Sequence, residues 1–235
     1  MDFDLYVFAN VSLSGEPDRA RSIASYRHLA HRYDGAAKRI LGVRQAAIEA
    51  LAPRPGETVF DVGCGDGATF AQLSDACGPE GRVIGIDQSP QMARIAQSRA
   101  QAHRNVKVIN ASIEQIPDGL AADAMLLCYT HDILQSARAI ERLRAAAKPG
   151  CRIAVAGNRF VPWTWGFALN FLTAYRERRH LTTLRGLDAP WAPLAAACGE
   201  LEIVRHFQFG TRYVARGRFA DPQAGSRPTQ GRATR

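Results

Sequence analysis

The chain has 235 residues, 46% of them hydrophobic and 22% charged, with 30 Lys and Arg against 22 Asp and Glu for a formal charge of +8. That size and apolar content bury one sizeable core, fit one domain better than two, and exclude a small scaffold that depends on staples. The five cysteines, Cys64, Cys77, Cys128, Cys151 and Cys198, are odd in number and form no Cys-x-x-Cys pair, which argues against a disulfide framework and against a metal site.

The first residues, Met1-Asp2-Phe3-Asp4, are acidic where a signal peptide is basic, and nowhere do about 18 uncharged apolar residues run together, so a cytoplasmic protein is expected. The positive excess admits nucleic acid, an anionic lipid surface or an acidic substrate as partners. Arg227, Arg232 and Arg235 fall in a stretch, 220–235, with almost nothing to bury. It reads as a disordered tail after a single domain over 1–219, which weakens the nucleic-acid option.

A helical cap is expected over 16–51, because Ile23, Tyr26, Leu29, Ala30 and Tyr33 and then Ile40, Val43, Ala47, Ile48 and Leu51 recur at spacings of three and four. Pro53-Arg54-Pro55-Gly56 ends it. Beyond, short apolar runs alternate with helical segments, the pattern of a parallel sheet covered on both faces. Strands are expected over 58–62, 82–86, 106–110, 124–128 and 152–156. A helix through Ala71 and Leu73 follows the first strand, and Ser89-Pro90 opens another, to about residue 102, after the second. Tyr129-Thr130-His131-Asp132 leads into a helix over 133–147 that Lys148-Pro149-Gly150 ends. Segments 201–209 and 212–219 read as an antiparallel pair turning at Gly210-Thr211.

Phe60-Asp61-Val62-Gly63-Cys64-Gly65-Asp66-Gly67 lies where a strand hands over to a helix, the place where open α/β sheets bind nucleotide-like ligands. Asp87, at the end of the next strand, is the carboxylate expected for a ribose diol. Gly63, Gly65 and Ala68 also satisfy a dinucleotide fingerprint, which keeps a NAD(P)-dependent oxidoreductase as an alternative. Asp61 and Asp66 would oppose a pyrophosphate and favour a cationic ligand.

Four ordered blocks make the chain resemble the class I S-adenosylmethionine-dependent methyltransferases, especially their ubiquinone and menaquinone branch. They are Val59 through Gly67, Val83 through Met92, Asn110-Ala111-Ser112-Ile113-Glu114-Gln115-Ile116-Pro117, and Lys148-Pro149-Gly150. The resemblance implies an α/β, Rossmann-like seven-stranded sheet with a C-terminal antiparallel hairpin and helices on both faces. It implies that Asp61, Gly63, Cys64 and Gly65 hold the methionine end of S-adenosyl-L-methionine, released as S-adenosyl-L-homocysteine. Asp87 would hold the ribose, Met92 would pack on adenine, and Gln88, Ser112, Ile113 and Cys128 would complete the cofactor site. Ser112 stands where the family carries an acid, a hint of a third reading, a catalytically silent binding module. Tyr33-Asp34 matches a Tyr-Asp that closes over the cofactor.

Methyl transfer from a sulfonium mainly requires alignment and exclusion of water, with a base only for a protonated nucleophile. His131, just past strand four, is the candidate base, with Tyr129 beside it as a substrate contact. Asp132 and Gln135 have the spacing of a helix-start capping pair. The segment from Tyr129 lacks the Asn/Asp-Pro-Pro-Tyr/Phe block of amide and base methylation, which disfavours nucleic acid. Trp163 and Trp165, in an aromatic segment before Arg176, Arg178, Arg179 and His180, are expected to face the acceptor pocket. The acceptor is expected to be a small apolar or amphipathic molecule, and the aromatic segment leaves peripheral membrane contact open.

Overall fold

In the computed structural model, which describes residues 12, 15–29, 40–178 and 180–220, strand β1 (Thr58–Val62) sets the layering by simple alternation. Val59 faces one buried layer and Phe60 and Val62 face the other. Asp61 follows Val59. β2 (Arg82–Asp87), β3 (Val106–Asn110), β4 (Ala122–Cys128) and β5 (Ala147–Asn158) add parallel neighbours, and β6 (Cys198–Phe207) and β7 (Arg212–Phe219) close the sheet antiparallel. The order β3-β2-β1-β4-β5-β7-β6 is the expected seven-stranded Rossmann-like sheet.

Helices α1 (Arg19–Leu29), α2 (Leu41–Leu51), α3 (Phe70–Cys77) and α4 (Pro90–Ala100) occur where the 3.6-residue pattern placed helix, and residues 30–39 lie outside the described residues. Ser89 caps α4 as expected, its Oγ accepting from the Met92 amide at 3.4 Å, with Pro90 in the first turn. The expected helix over 133–147 is two pieces, α5 (His131–Leu134) and α6 (Ala137–Ala145). Ser136 makes the break by capping the second piece, its Oγ accepting from the Ala139 amide at 3.2 Å. Lys148-Pro149-Gly150 does not precede the fifth strand but bulges within it. There the step from Ala147 to Arg152 faces only the step from Ala122 to Ala124, and Gly150 takes φ +72°. α7 (Trp163–Glu177) and α8 (Ala192–Ala197) fill the connection to the hairpin.

Arg152 fastens this frame at its edge. It donates to Glu57 Oε1 at 2.9 Å and Oε2 at 2.5 Å and to the carbonyls of Leu51 and Ala52 at 3.1 Å, so it joins β5, the end of α2 and the start of β1. Both side chains are mostly buried, which makes the two-pronged pair worth more than a surface ion pair. Arg152→Ala is expected to cost about 2–3 kcal/mol. Urea unfolding should show a lower midpoint at unchanged slope, and an unmoved midpoint would refute the assignment.

Candidate active site

β1 ends in a turn that takes the left-handed conformation favoured by glycine at Gly63, Gly65 and Gly67. Gly63 has φ +67°, and a Cβ there would meet Thr130 Cγ2 at 2.5 Å. Gly65 has φ +58° and donates its amide to Asp87 Oδ2 at 2.8 Å. The other oxygen, Oδ1, accepts from the Ser89 amide at 2.8 Å. Asp87 is thus held by the two strand ends that it bridges, and burial raises its pKa to about 6 against the lowering effect of these amides.

Past the end of β4 come three consecutive residues with buried polar side-chain atoms: Tyr129 Oη and Thr130 Oγ1, which have no hydrogen-bond partner among the described residues, and the His131 ring, which lies against the backbone of Arg185. Tyr129 itself takes φ +60°, a left-handed conformation that costs a side-chain-bearing residue about 1–2 kcal/mol. A 2.7 Å bond from its amide to the Ala156 carbonyl holds it there. Burial lowers the His131 pKa to about 4, with the backbone of Arg185 opposing, so its ring is neutral at pH 7.

Two cavities meet at these residues. The first, about 80 Å³, is walled by Gly63, Gly65, Asp87, Gln88, Ser112, Ile113 and Cys128 and by Ser22 and Tyr26 of α1. The second, about 360 Å³, is walled by Leu134, Ala156, Leu187, Pro190 and Tyr213 and by Arg176 and Arg212. Tyr26, Tyr129, Thr130, His131, His180 and Leu181 line both. The first cavity has the carboxylates of Asp87 and Asp132 in its wall and, among the described residues, no lysine or arginine.

Several side chains stand elsewhere than the sequence led one to expect. Asp61 points with Val59 toward the α2 layer, bonded to the Thr69 hydroxyl, and burial lifts its pKa to about 6 while Thr69 and Arg44 pull it down. Asp66 is paired with Arg99 Nη1 at 2.6 Å. Neither wall of the cleft includes them, so the carboxylates in the walls are Asp87 and Asp132 in the first cavity and Glu177 in the second. Cys64 is buried, its Sγ 3.1 Å from where a Cβ on Gly85 would stand, and Met92 is fully buried in the core; neither lines a cavity. Ser112 does line the first cavity, its Oγ accepting from the Glu114 amide at 3.3 Å. Cys128 lines it too, as a neutral thiol that burial pushes up to about 12.

Asp132 is not a helix cap. It accepts from the Thr182 hydroxyl at 2.8 Å, and that hydroxyl accepts from the Asp18 amide at 2.9 Å, which ties α1 over the cleft. Gln88 Nε2 adds a 3.2 Å bond to Ser22 Oγ. Sequence reasoning treated Tyr26 only as a helix-period position and passed over Ser22, Thr130 and the place of Asp132 in the cavity wall. Tyr33 and Asp34 lie outside the described residues. Trp163 and Trp165 are more than half exposed and line neither cavity, contrary to expectation. The inward side of α7 is made of Gly166, Asn170 and Ala174, with Asn170 bonded at 2.8 Å to both the amide and the carbonyl of Val161, so the large rings are left outward.

Residues 59–150 match the methyltransferase-domain family. The chain is 33% identical over 113 residues to a demethylmenaquinone methyltransferase of Geobacillus stearothermophilus, covering 47% of this chain and 43% of that one. It is 27% identical over 117 residues to a 2-phytyl-1,4-naphtoquinone methyltransferase of Trichormus variabilis, covering 48% and 51%. It spans about a third to a half of the length of the curated relatives it matches. In fold it is similar to the N-methyltransferase NodS of Bradyrhizobium japonicum in complex with S-adenosyl-L-homocysteine, at TM-score 0.54 and 17% identity, over 79% of this chain and 86% of that one. Residues 59–150 thus match a methyltransferase domain, and the chain has the fold of the solved methyltransferases it resembles. Its relatives include methyltransferases of the quinone branch.

Proposed function

We propose that the chain transfers a methyl group from S-adenosylmethionine to a small apolar or amphipathic acceptor. The observation that carries this is the wall of the first cavity, with two carboxylates and, among the described residues, no lysine or arginine, which suits an ammonium and sulfonium and opposes a pyrophosphate. Gly63 and Gly65 let a ligand approach the backbone closely, Asp87 offers acceptors for a diol, and Ser112 and Ile113 border the adenine end. When bound, this cofactor supplies an electrophilic methyl group on a sulfonium.

The chain's own groups do the rest. Tyr26 and the α1 helix cover the cleft and exclude water. The second cavity, with apolar and polar wall in similar measure, takes the acceptor, and its size falls within the range of small-molecule sites, about 300–1,000 Å³. His131, neutral and buried at the junction of the two cavities, takes the proton released by the acceptor at a ring nitrogen. Tyr129 Oη and Thr130 Oγ1 orient the acceptor's polar group. The quinone-branch relatives support a quinol-like or other hydroxylated aromatic acceptor.

At a hundredfold excess over its dissociation constant, S-adenosylmethionine or S-adenosylhomocysteine stabilises a one-site binder by about 2.7 kcal/mol. For a chain of this length that is a thermal shift of roughly 5–10 °C. Stabilisation by NAD in place of both would overturn the proposal. Transfer of methyl label from the cofactor into quinols or phenols, set against DNA and tRNA, tests the acceptor class; label found only in nucleic acid refutes it.

A further inference from the structure

β5 carries a glycine where its own pattern calls for a large side chain. Ile153 and Val155 face the layer that holds Tyr213 and Leu134, and alternation puts residue 157 on the same face. The residue there is Gly157, buried and paired with Tyr213 of β7, just where β5 outruns the end of β4. β5 is an inner strand, between β4 and β7. Glycine weakens a strand interior, so one placed here has either a steric reason or a ligand that approaches the backbone.

Gly85 of β2 has a steric reason. A Cβ there would stand 2.5 Å from the Phe70 ring and 3.1 Å from Cys64 Sγ. Gly157 has none: its φ is not left-handed, and the nearest neighbours of an added Cβ would be Tyr213 Cε1 at 3.6 Å, Oη at 3.8 Å and Cζ at 4.0 Å, all ordinary contacts. The space beside it is the second cavity, which Gly157 lines together with Leu134, Leu187, Pro190 and Tyr213. A side chain at 157 would therefore grow past the Tyr213 ring into that cavity. His131 stands where the same cavity meets the first.

We propose that Gly157 is a specificity-determining residue: the place of its missing side chain receives a ring of the acceptor, flat against the bare backbone of β5 and beside Tyr213. This rests on the reading that the second cavity takes the acceptor. A larger residue at 157 shortens the cavity from this side and restricts the chain to smaller rings. The cofactor cleft is left as it is, because Gly157 lines the second cavity and not the first.

The test is equilibrium titration of the unaltered chain, Gly157→Ala and Gly157→Val with 2-naphthol and with phenol, in the presence of S-adenosylhomocysteine. Valine should lower the affinity for 2-naphthol relative to phenol by about tenfold or more, the usual effect of a carbon or two in an apolar pocket, with alanine between. Affinity for S-adenosylhomocysteine should stay within about threefold in both variants. The alanine variant should melt no lower than the unaltered chain, since its Cβ has room and its φ suits a side chain. A lower melting temperature for that variant would show that the glycine serves packing, and overturns the proposal. So does equal loss for the two phenols, or failure of the unaltered chain to bind 2-naphthol. Transfer of methyl label is read separately: binding that depends on residue 157 without any label transfer leaves the size selection standing and removes the acceptor reading.

Discussion

Asp87→Ala is expected to raise the dissociation constant for S-adenosylhomocysteine by roughly 10²–10⁴-fold, because two hydrogen bonds to a carboxylate at about 1.5–3 kcal/mol each are lost together. The substitution also frees the Gly65 and Ser89 amides that Asp87 now accepts, loosening the glycine turn against β2. Asp87→Asn separates the two effects. An amide offers one carbonyl oxygen, so it cannot accept from both backbone amides, yet it keeps the side-chain volume and should fall between the natural residue and alanine. Calorimetry is the measurement. Affinity within about threefold of the unaltered chain for both variants would remove Asp87 from the site and the ribose assignment with it.

The same carboxyl predicts how binding depends on pH. Its folded pKa is about 6 rather than the ordinary value near 4, so below about pH 6 a proton competes with the diol and affinity should fall about tenfold per pH unit. Stability of the ligand-free chain moves in the opposite sense. Asp61 and Asp87 hold protons in the folded chain between about pH 4 and 6 that the unfolded chain has released, so their contribution to stability declines as pH rises through that window. Cofactor binding and folding thus place opposite demands on Asp87, as is common for groups kept for function.

What the sequence made legible is what short spacings encode. The strand, the glycine turn and Asp87 lie within 30 residues, and the local chemistry of positive φ, helix capping and strand alternation fixes their places. Which carboxylates line the cleft was not legible, because partners distant in the chain decide it. Asp66 is taken by Arg99, 33 residues on, and Asp132 by Thr182, 50 residues on. The direction of Asp61 was in principle readable from its alternation with Val59, but the glycine pattern drew attention to its proximity instead. The aromatic segment misled for a related reason. Its ring spacing marks one face, while only the burial of Gly166, Asn170 and Ala174 shows that this face is turned away from the protein. Ser22 and Tyr26 carry no motif, and contacts distant in the chain bring their helix to the cleft, among them the bonds from the Asp18 amide to the Thr182 hydroxyl and from Gln88 to Ser22 and the approach of the Tyr26 and His180 rings.

His131→Ala is expected to lower kcat by about a hundredfold or more, the usual worth of a positioned base, while the affinity for S-adenosylhomocysteine stays within about threefold. His131→Gln keeps a side chain that can hydrogen-bond but cannot take up a proton at working pH. Equal loss in both variants therefore marks proton transfer, and recovery in the glutamine variant marks positioning. The pH profile distinguishes His131 from Asp87, which lines the same cavity. With a folded pKa of about 4, His131 is already neutral well below pH 6, so kcat at saturating cofactor should show no acid limb near 6.5. The limb near 6 should appear instead in kcat/KM for the cofactor, where Asp87 must be charged. The stability signs also differ. His131 is charged in the unfolded chain below about 6.5 and neutral in the folded chain down to about 4, so it costs stability as pH falls through that interval. Removing it should make the ligand-free chain more stable at pH 5 relative to pH 7 than the unaltered chain is. A kcat limb near 6.5 that vanishes in the alanine variant would instead show an exposed, ordinary imidazole, which the burial of both its nitrogens contradicts.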